Sequence, residues 1–337
     1  MSALRLSVVI PTRNGAQRLP LTLASIAAQE VGAPVEVVLA DDGSDDASSE
    51  VAASFGLPWG PARIVRHPAS RGRAAACNSG VEAATGDAVV ILDDDMSLQP
   101  GALEAHRAFH AARPGAAARA RVILARQGSG SCFERFLARE EAVQEASLLA
   151  QREALPFPLC QTGHFSIGRR LLIDAGGFDT SITRYGFEDI ELGHRLALRG
   201  VPLLYLPEAE SIHRAYITDL DRYLERHFEA GIVARQLAER FPSGPFREYL
   251  RIDPPSELGI GRDPAGLVGL RISNRLLLRP AVRKALGGRI GFAAVRSFLR
   301  AMEAIRFDRA AHFGYHVARD IFYFQGYSRE EPAGTAR

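Results

Sequence analysis

The sequence predicts an α/β fold in which a mostly parallel, doubly wound sheet is flanked by helices. Short β-branched runs alternate with segments of helical periodicity through about residue 125. Residues 89–92 are apolar throughout, as expected for a strand that is buried on both faces in the middle of a parallel sheet. The early strands end in polar or acidic residues, and open α/β sheets bind their ligands at that carboxyl edge.

The first part of the chain supplies these strands and the helices between them. Pro11 is expected to stop the first strand, and Asp45 or Asp46 to cap the helix after the second. An Ala-rich helix precedes the central strand. The predicted strands lie at residues 6–10, 35–40, 62–66 and 89–92, and the predicted helices at 19–29, from about 47, and at 73–84.

A second part begins near Phe133 and mixes longer helices with short extended segments. Residues 156–158 read Pro-Phe-Pro and are expected to break its first helix. The predicted helices lie at residues 133–155, 169–175, 190–199 and 219–241, and the predicted strands at 162–167, 201–206 and 211–213.

The composition of the 337-residue chain narrows the classes of protein to which it can belong. The net charge is +2, which gives no general attraction to nucleic acid, so no nucleic-acid partner is predicted. The three cysteines lack the spacing of a metal site and fit a reducing compartment. Neither a signal-peptide core nor an apolar run of about 18 residues is found, which predicts a cytoplasmic protein without a transmembrane helix.

Three consecutive carboxylates, Asp93, Asp94 and Asp95, follow the central strand. Adjacent carboxylates repel one another, so the cluster is unfavourable unless a cation offsets its charge. Oxygen ligands of this kind suit Mg²⁺ or Mn²⁺; the other interpretation is a solvated acidic turn. The sequence contains neither the glycine fingerprint of dinucleotide-binding enzymes nor a P-loop, which argues against both classes.

Several short motifs occur in a fixed order between about residues 7 and 215. Each is weak alone, but the ordered set resembles the GT-A-fold, family 2 glycosyltransferases. Residues 176–200 are also similar to the C-terminal part of galactosyl- and chondroitin-type transferases. The motifs are Val8-Val9-Ile10-Pro11-Thr12-Arg13-Asn14, Asp41-Asp42-Gly43-Ser44, Gly72 to Gly80 with Asn78, Asp93-Asp94-Asp95, Gly176-Gly177-Phe178-Asp179, and Glu188-Asp189.

The resemblance implies a metal-dependent, inverting transferase that moves a hexosyl or hexosaminyl group from a nucleotide-sugar donor, expected to be a UDP-sugar. The acceptor would be a glycan, a lipid-linked molecule or another hydroxyl compound, as in polysaccharide biosynthesis. Residues 1–240 would form the GT-A catalytic domain, with a nucleotide-binding half at 1–125 and an acceptor-binding half at 126–240. Residues 241–337 would form a helical, basic C-terminal extension.

The resemblance also implies roles for individual residues. Asp189 matches the catalytic base, and Asp42 matches the position that hydrogen-bonds the nucleotide base. Mn²⁺ or Mg²⁺ would be bound by Asp95, Asp93 and His213. The expected donor-binding residues are Pro11, Thr12, Arg13, Asn14, Asp42, Arg73, Asp93 and Asp94, and the expected acceptor-binding residues are Gly163, His164 and Glu188.

Other interpretations of the same residues stay open at this point. The segment from Asp41 to Ser44 is also typical of a turn with a helix cap, Asp189 could be a helix N-cap, and His213 could be structural. Cys77 stands where the family often has an arginine, and Arg73 or Arg71 is expected to supply the positive charge instead.

The segment from Arg262 to Arg309 is the most basic part of the sequence. It contains 11 basic and 3 acidic residues, a local charge of +8, interleaved with apolar residues. This pattern predicts a peripheral contact with anionic lipid, which would place the protein at the inner face of the membrane. The alternative is a set of helices packed on the catalytic domain with the arginines in water.

Two other function classes compete with the transferase. Residues 93–97 fit the D-x-D-x-[ST] pattern of haloacid-dehalogenase-type phosphohydrolases, but that chemistry requires a downstream lysine, and Lys284 is the only one. A catalytically silent glycan-binding module on the same fold would lack the base or the metal acids, and the sequence retains all of them.

Overall fold

An eight-stranded sheet is the main feature of the computed structural model, which describes residues 4–126, 128–214, 219–250, 260–262, 268–270, 296–301 and 308–329. Its strands are β1 (Leu6–Thr12), β2 (Val35–Asp41), β3 (Arg63–Arg66), β4 (Ala88–Leu92), β5 (Met96–Leu98), β6 (Ala117–Leu124), β7 (His164–Gly168) and β8 (Leu203–His213). Their order across the sheet is β3-β2-β1-β4-β7-β6-β8-β5.

The sheet is mixed, with its parallel part built from the early strands. The neighbours in the order β3-β2-β1-β4 are parallel, as are β6 and β8. β7 runs antiparallel to both β4 and β6, and β5 runs antiparallel to β8. The predicted mostly parallel α/β sheet is confirmed. The four strands predicted before residue 125 pair in parallel in the order β3-β2-β1-β4. Each antiparallel pair of this sheet includes β5 or β7.

Helices flank the sheet and continue into the C-terminal part of the chain. They are α1 (Leu19–Ala27), α2 (Ser48–Ser54), α3 (Arg73–Ala83), α4 (Ala102–Ala112), α5 (Cys132–Ala150), α6 (Arg169–Asp174), α7 (Glu188–Leu198), α8 (Leu220–Arg240), α9 (Pro245–Leu250) and α10 (Asp308–Ser328). The predicted elements do not include α4, β5 or β6. Pro11 lies within β1 instead of ending it, and the two strands predicted at 201–206 and 211–213 are one strand, β8.

The central strands of the sheet are buried on both faces. The last four residues of β4, Val89 to Leu92, are each 0 % exposed, and every residue of β1 is buried. Burying a side chain of this size contributes about 1.5–3 kcal/mol to stability. The prediction of a doubly buried central strand is confirmed, and the acidic residues after Leu92 therefore begin where a rigid strand ends.

Backbone contacts divide the chain into two compact units that interleave along the sequence. The first falls within Met1–Ala125, Leu148–Thr183 and Glu188–Tyr216, and contains the eight-stranded sheet. The second falls within Arg126–Ser147, Arg184–Phe187 and Ile217–Arg337. The functional division that the sequence predicts at residues 125 and 240 stays a prediction.

The second unit has its own aromatic core. Phe133 and Phe136 of α5 pack against Tyr223 of α8 and Tyr315 of α10, with ring centroids 5.0–6.1 Å apart. Aromatic pairs at such distances are favourable in edge-to-face or tilted arrangements.

Glycines allow α8 and α10 to approach each other closely within the second unit. A Cβ atom at Gly231 would collide with the carbonyl oxygen of Tyr323, and one at Gly326 would collide with that of Phe228. Only glycine fits where two backbones come this near.

The C-terminal part is not helical throughout. Besides α9, α10 and the helical residues 296–301, it contains β9 (Ile260–Arg262) and β10 (Val268–Leu270), which pair antiparallel. Most of the basic segment 262–309 lies outside the described residues, so its predicted contact with lipid stays a prediction. Within the described parts of the chain, no helix combines the length and apolarity needed to span a bilayer.

Candidate active site

The carboxyl ends of β1, β2 and β4 meet at one edge of the sheet in the first unit. The register of β1 and β2 sets Thr12 opposite Asp41, and the backbone N–H of Asp42 donates to the Thr12 carbonyl at 2.9 Å. Asp93 follows directly on the end of β4. Parallel neighbours end at the same edge, so the loops with the predicted donor residues share it.

The loop after β1 is fastened to the loop after β2. Pro11 is buried in the strand, whereas Arg13 and Asn14 are exposed just beyond it. Asn14 has a φ of 51°, a left-handed conformation that asparagine tolerates better than most residues. Its backbone N–H donates to the Ser44 hydroxyl at 3.0 Å, and its Oδ1 accepts from the Asp45 N–H at 2.9 Å. The two loops thus form one unit at the sheet edge.

Asp42 is fully engaged by protein donors. Its Oδ1 accepts from His67 Nδ1 and the Arg71 N–H, both at 2.8 Å. Its Oδ2 accepts from the Ser70 hydroxyl at 2.6 Å and the Gly72 N–H at 2.9 Å. Burial alone would raise the pKa of Asp42, but these hydrogen bonds lower it. A carboxylate has about four acceptor sites, all used here, so a nucleotide base would have to replace one of these donors. The predicted base contact stays a prediction.

The side chain of Asp94 is buried and is held by protein donors. Arg18 donates from Nε to Oδ1 at 3.0 Å and from Nη2 to Oδ2 at 2.8 Å, and the Thr12 hydroxyl also donates to Oδ2. The Thr22 hydroxyl donates to the Asp94 carbonyl at 2.8 Å. These contacts account for both carboxylate oxygens. Asp94 thus ties α1 and β1 to the loop after β4, and its predicted contact with the donor stays a prediction.

Arg73 joins the two acidic motifs. It opens α3 and donates from Nη2 to Asp93 Oδ1 at 2.7 Å and from Nη1 to the Thr162 hydroxyl at 3.0 Å. The same Nη1 lies 3.8 Å from Glu188 Oε1. Burial raises the pKa of Cys77 to about 12, so that thiol stays neutral. Arg73 lies one helical turn before Cys77, and its predicted contact with the donor stays a prediction.

Asp95 and His213 form a candidate metal pair. His213 Nε2 lies 3.1 Å from Asp95 Oδ2, and the backbone N–H of Arg214 donates to the Asp95 carbonyl at 2.9 Å. Asp95 Oδ1 is buried and has no hydrogen-bond partner, which is costly for a carboxylate unless a cation accompanies it. Burial alone would raise the pKa of Asp95, but His213 and Arg18 lower it, so the ionised, ligating form is favoured. The pair therefore fits a divalent cation.

The third predicted ligand does not join this pair. Across the described parts of the chain, no third His, Cys, Asp or Glu has a ligand atom that groups with those of Asp95 and His213 within 4.8 Å. Asp93 is instead bound to Arg73. The predicted set of three protein ligands is therefore brought together only in part.

The start of α7 places two carboxylates side by side. The helix begins at Glu188, so Asp189 lies inside its first turn and not at the N-cap position. Burial, followed by the charge of Glu188, raises the pKa of Asp189 to about 7, and Arg73 only partly opposes this. These effects outweigh the support that a helix N-terminus gives to an ionised carboxylate. Glu188 Oε2 is also buried without a partner. A carboxyl group with this pKa can accept a proton near neutral pH.

Residues 7–174 match the family model "Glycosyl transferase family 2". The chain belongs to glycosyltransferase family 2. The matched region contains the loops after β1, β2 and β4 and ends at the last residue of α6. Membership in this family decides against the phosphohydrolase interpretation of residues 93–97.

Curated relatives of this family 2 chain are also glycosyltransferases. It is 32 % identical over 244 residues to the pre-mycofactocin glycosyltransferase of Mycobacterium tuberculosis, an alignment that covers 70 % of this chain and 48 % of the relative. It is 29 % identical to the validoxylamine A glucosyltransferase of Streptomyces hygroscopicus subsp. jinggangensis (66 % and 61 % covered) and 26 % identical to the chondroitin synthase of Escherichia coli (62 % and 34 %). The chain thus spans about half the length of the first of these relatives.

Solved structures of similar fold are GT-A glycosyltransferases. The mannosyltransferase PcManGT from Pyrobaculum calidifontis, in complex with GDP-Man and Mn²⁺, aligns with a TM-score of 0.60 and 19 % identity over 95 % of this chain and 87 % of its own. GalNAc-T7, with UDP, GalNAc and Mn²⁺, aligns with a TM-score of 0.54 and 17 % identity over 74 % and 50 %. This family 2 chain has the GT-A fold, as the sequence predicts.

His164 is placed in the interior, which does not suit its predicted role at the acceptor site. Its Nδ1 lies 2.9 Å from the Ser211 hydroxyl, and its Nε2 lies 3.0 Å from His106 Nε2. His106 Nδ1 and His110 Nε2 both lie 2.8 Å from the Ser166 hydroxyl. Burial lowers the pKa of His164 to about 3, so the ring is neutral. Because His164 is 1 % exposed, an acceptor hydroxyl has no access to it, and its ring connects β7 to α4 and β8.

Gly163 lies beside the acidic cluster. Its carbonyl accepts from the Asp93 N–H at 2.9 Å, and a Cβ atom at this position would come within 2.9 Å of Asp93 Oδ2. A larger residue would therefore press on the carboxylate that Arg73 holds. This supports a role for Gly163 in leaving room at the sheet edge, and its predicted acceptor contact stays a prediction.

Several residues of the site carry no signal in the sequence. Arg18 is 76 residues from Asp94, Thr162 is 89 residues from Arg73, and His67 is 25 residues from Asp42. None of them belongs to a short motif, and only the fold brings each pair together.

Proposed function

We propose that this family 2 chain is a metal-dependent, inverting glycosyltransferase that moves a sugar from a nucleotide-sugar donor to a hydroxyl acceptor. The observation that carries the proposal is the buried, unpartnered Oδ1 of Asp95 beside His213. It lies at the same sheet edge as the loops after β1 and β2. Through Asp93, Arg73 and Glu188, this edge is connected to the proposed base, Asp189.

The donor and the metal are proposed from the similar structures together with this site. The two transferases of similar fold bind GDP-Man or UDP, each with Mn²⁺. In this chain Asp95 and His213 would hold Mn²⁺ or Mg²⁺ at the donor diphosphate. The bound ion would stabilise the negative charge that develops on the leaving diphosphate. A UDP-sugar is the donor to test first, with a glycan or a lipid-linked hydroxyl compound as the acceptor.

The proton of the acceptor is assigned to Asp189. The acceptor oxygen attacks the anomeric carbon, the bond from that carbon to the diphosphate oxygen breaks, and the hydroxyl proton passes to the Asp189 carboxylate. A single displacement of this kind inverts the anomeric centre. A base works best when its pKa lies near the working pH, which is the case for Asp189.

The proposal is tested with Asp95→Asn and a matched control, Asp174→Asn. Asp174 is an exposed aspartate at the end of α6 whose ion-pair partner is Arg170. UDP-, GDP- and dTDP-sugars are screened for release of the nucleoside diphosphate, with and without Mn²⁺. We expect Asp95→Asn to lose roughly 100-fold or more of the Mn²⁺-dependent turnover, as is typical when a charge-stabilising group is removed, and Asp174→Asn to match the wild type.

Three outcomes would contradict parts of this proposal. Full activity of Asp95→Asn with the metal chelated would remove the metal assignment. Retention of the anomeric configuration, read by NMR on the product, would exclude a single displacement. Binding of a nucleotide-sugar without any turnover would favour the catalytically silent glycan-binding module.

A further inference from the structure

The second unit contains a cluster of metal-ligating side chains. Glu140 lies on α5, and His312 and His316 lie one turn apart on α10. One ligand atom from each of the three lies within 4.8 Å of the other two. Glu140 Oε1 is 3.7 Å from His312 Nε2 and 3.4 Å from His316 Nε2. None of these residues belongs to the family motifs or to the site described above.

We propose that Glu140, His312 and His316 form a second divalent-cation site, which takes Zn²⁺ or a cation of similar ligand preference. Zinc is bound tetrahedrally at about 2.0–2.2 Å by histidine nitrogen and carboxylate oxygen, which places the ligand atoms about 3.3 Å apart. The observed separations of 3.4 and 3.7 Å are close to this value. Small rotations of the side chains would complete the geometry.

The donor set favours a borderline metal over Mg²⁺ or Ca²⁺. Two imidazoles and one carboxylate are the ligands typical of zinc, whereas hard cations prefer an all-oxygen set. Two histidines four residues apart on one helix are also the spacing found in zinc-binding helices. The side chains are 24–38 % exposed, which leaves a fourth coordination position open to water.

The surroundings hold the two imidazoles in place. The ring of Phe136 packs edge-on against His312 at 4.9 Å and against His316 at 5.2 Å between centroids.

Two guanidinium groups lie close enough to oppose a cation. The charge of Arg139 interacts with His312, and the charge of Arg319 interacts with Glu140. Arg319 is paired with Asp320, with Nη2 and Oδ1 3.0 Å apart, which offsets its charge. The site would therefore be weaker than one without nearby arginines, yet it keeps three protein ligands. A bound ion would cross-link α5 to α10, two helices that lie far apart in the sequence and together in the second unit.

The test uses the full chain, in which the candidate metal pair of the first unit is disabled by Asp95→Asn and His213→Gln. Equilibrium dialysis with Zn²⁺ is expected to give one ion per chain in this background, and thermal unfolding is expected to shift upward as Zn²⁺ is added. His312→Gln, His316→Gln or Glu140→Gln, each added singly, should weaken Zn²⁺ binding by about tenfold or more and abolish the thermal shift. Glutamine keeps much of the size and polarity of these side chains, so the fold should persist.

Glu141→Gln serves as the matched control. It is the same change at the next residue of α5, where the carboxylate pairs with Arg126 and is not part of the cluster. Substitution with Co²⁺ provides a spectroscopic readout, because tetrahedral cobalt absorbs visible light far more strongly than octahedral cobalt. The proposal is overturned if the background variant binds no Zn²⁺, or if the three cluster variants bind it as tightly as Glu141→Gln. Circular dichroism of each variant separates loss of the site from loss of the fold.

Discussion

At the residue scale, the pKa of Asp189, the proposed base, determines the pH range in which this side chain can accept a proton. Burial and Glu188 raise its pKa to about 7, and only the ionised carboxylate accepts a proton. We therefore expect kcat to rise with pH and to level off above about 7. Asp189→Asn should lower kcat by about 10²–10⁴ and leave the affinity for the donor nucleotide unchanged. Steady-state kinetics across pH, with Asp174→Asn as control, measures both effects. A wild-type rate for Asp189→Asn would assign the proton transfer to another group.

The Asp189→Asn variant is also expected to change the stability of the protein in a pH-dependent way. The pKa of Asp189 is raised from an ordinary 3.8 to about 7 on folding, so the folded state holds this proton more tightly than the unfolded state. Ionisation therefore removes stability as pH rises between these two values, and the loss is complete above about 7. Asp189→Asn should raise the unfolding temperature more at pH 8 than at pH 5. An equal gain at both pH values would mean that the carboxylate is not destabilised by burial.

At the scale of the elements, the Arg18–Asp94 pair fastens α1 to the end of β4. Arg18→Leu would leave a buried carboxylate with fewer donors. We expect this to lower the free energy of unfolding by about 1–3 kcal/mol, discounted because Arg18 is itself over a third exposed. Urea unfolding measures the change. Arg170→Leu, which breaks an exposed i,i+4 ion pair with Asp174, is the control and should change stability little.

The kinetics of an Asp94 variant separate a structural role from a donor contact. If Asp94 only positions the loops, Asp94→Asn and Arg18→Leu should destabilise the protein and be non-additive when combined, because they remove the same pair. If Asp94 binds the donor, Asp94→Asn should raise KM for the nucleotide-sugar more than Arg18→Leu does. A KM effect without a change in stability would contradict the assignment made from the structure.

At the same scale, the length and residue pattern of each strand determine whether it could be predicted from the sequence. β1, β2 and β4 carry long β-branched or apolar runs followed by polar residues, so both the strands and their ligand-binding edge were predictable. β5 has only three residues, too few to show a period. The direction of β6 depends on its pairing with β7, a strand about 40 residues later, which no local pattern encodes.

Single side chains were predictable only where a motif defined them. Asp95 and Asp189 lie in short acidic motifs, and the roles predicted for them are those that the resemblance to the family implies. His164 follows Thr162 and Gly163 at the start of a strand, a position from which a side chain can face a ligand. Its ring instead contacts His106 of α4. Asp94 lies between Asp93 and Asp95 in the sequence, so its neighbours do not distinguish it from them. Only the fold brings Arg18 into contact with Asp94.

At the scale of the whole molecule, the distribution of charge is uneven along the sequence. Residues 262–309 carry +8, which leaves −6 on the rest of a chain whose total is +2. A basic residue near an anionic membrane surface contributes about 1 kcal/mol of attraction, so a few of these arginines would suffice for reversible binding. We therefore propose that the protein acts at the cytoplasmic face of the membrane, where a lipid-linked acceptor would be found.

Co-sedimentation with vesicles tests this proposal. The protein is expected to sediment with anionic vesicles and not with neutral ones. The bound fraction should fall as salt is raised, because surface charges are screened over about 8 Å at physiological ionic strength. Replacing Arg271, Arg275 and Arg279 with glutamine should reduce binding, whereas the same change at Arg5, Arg170 and Arg199, which are exposed arginines outside the segment, should not. Equal binding to both kinds of vesicle, or an equal loss in both triple variants, would show that the segment is not the membrane contact.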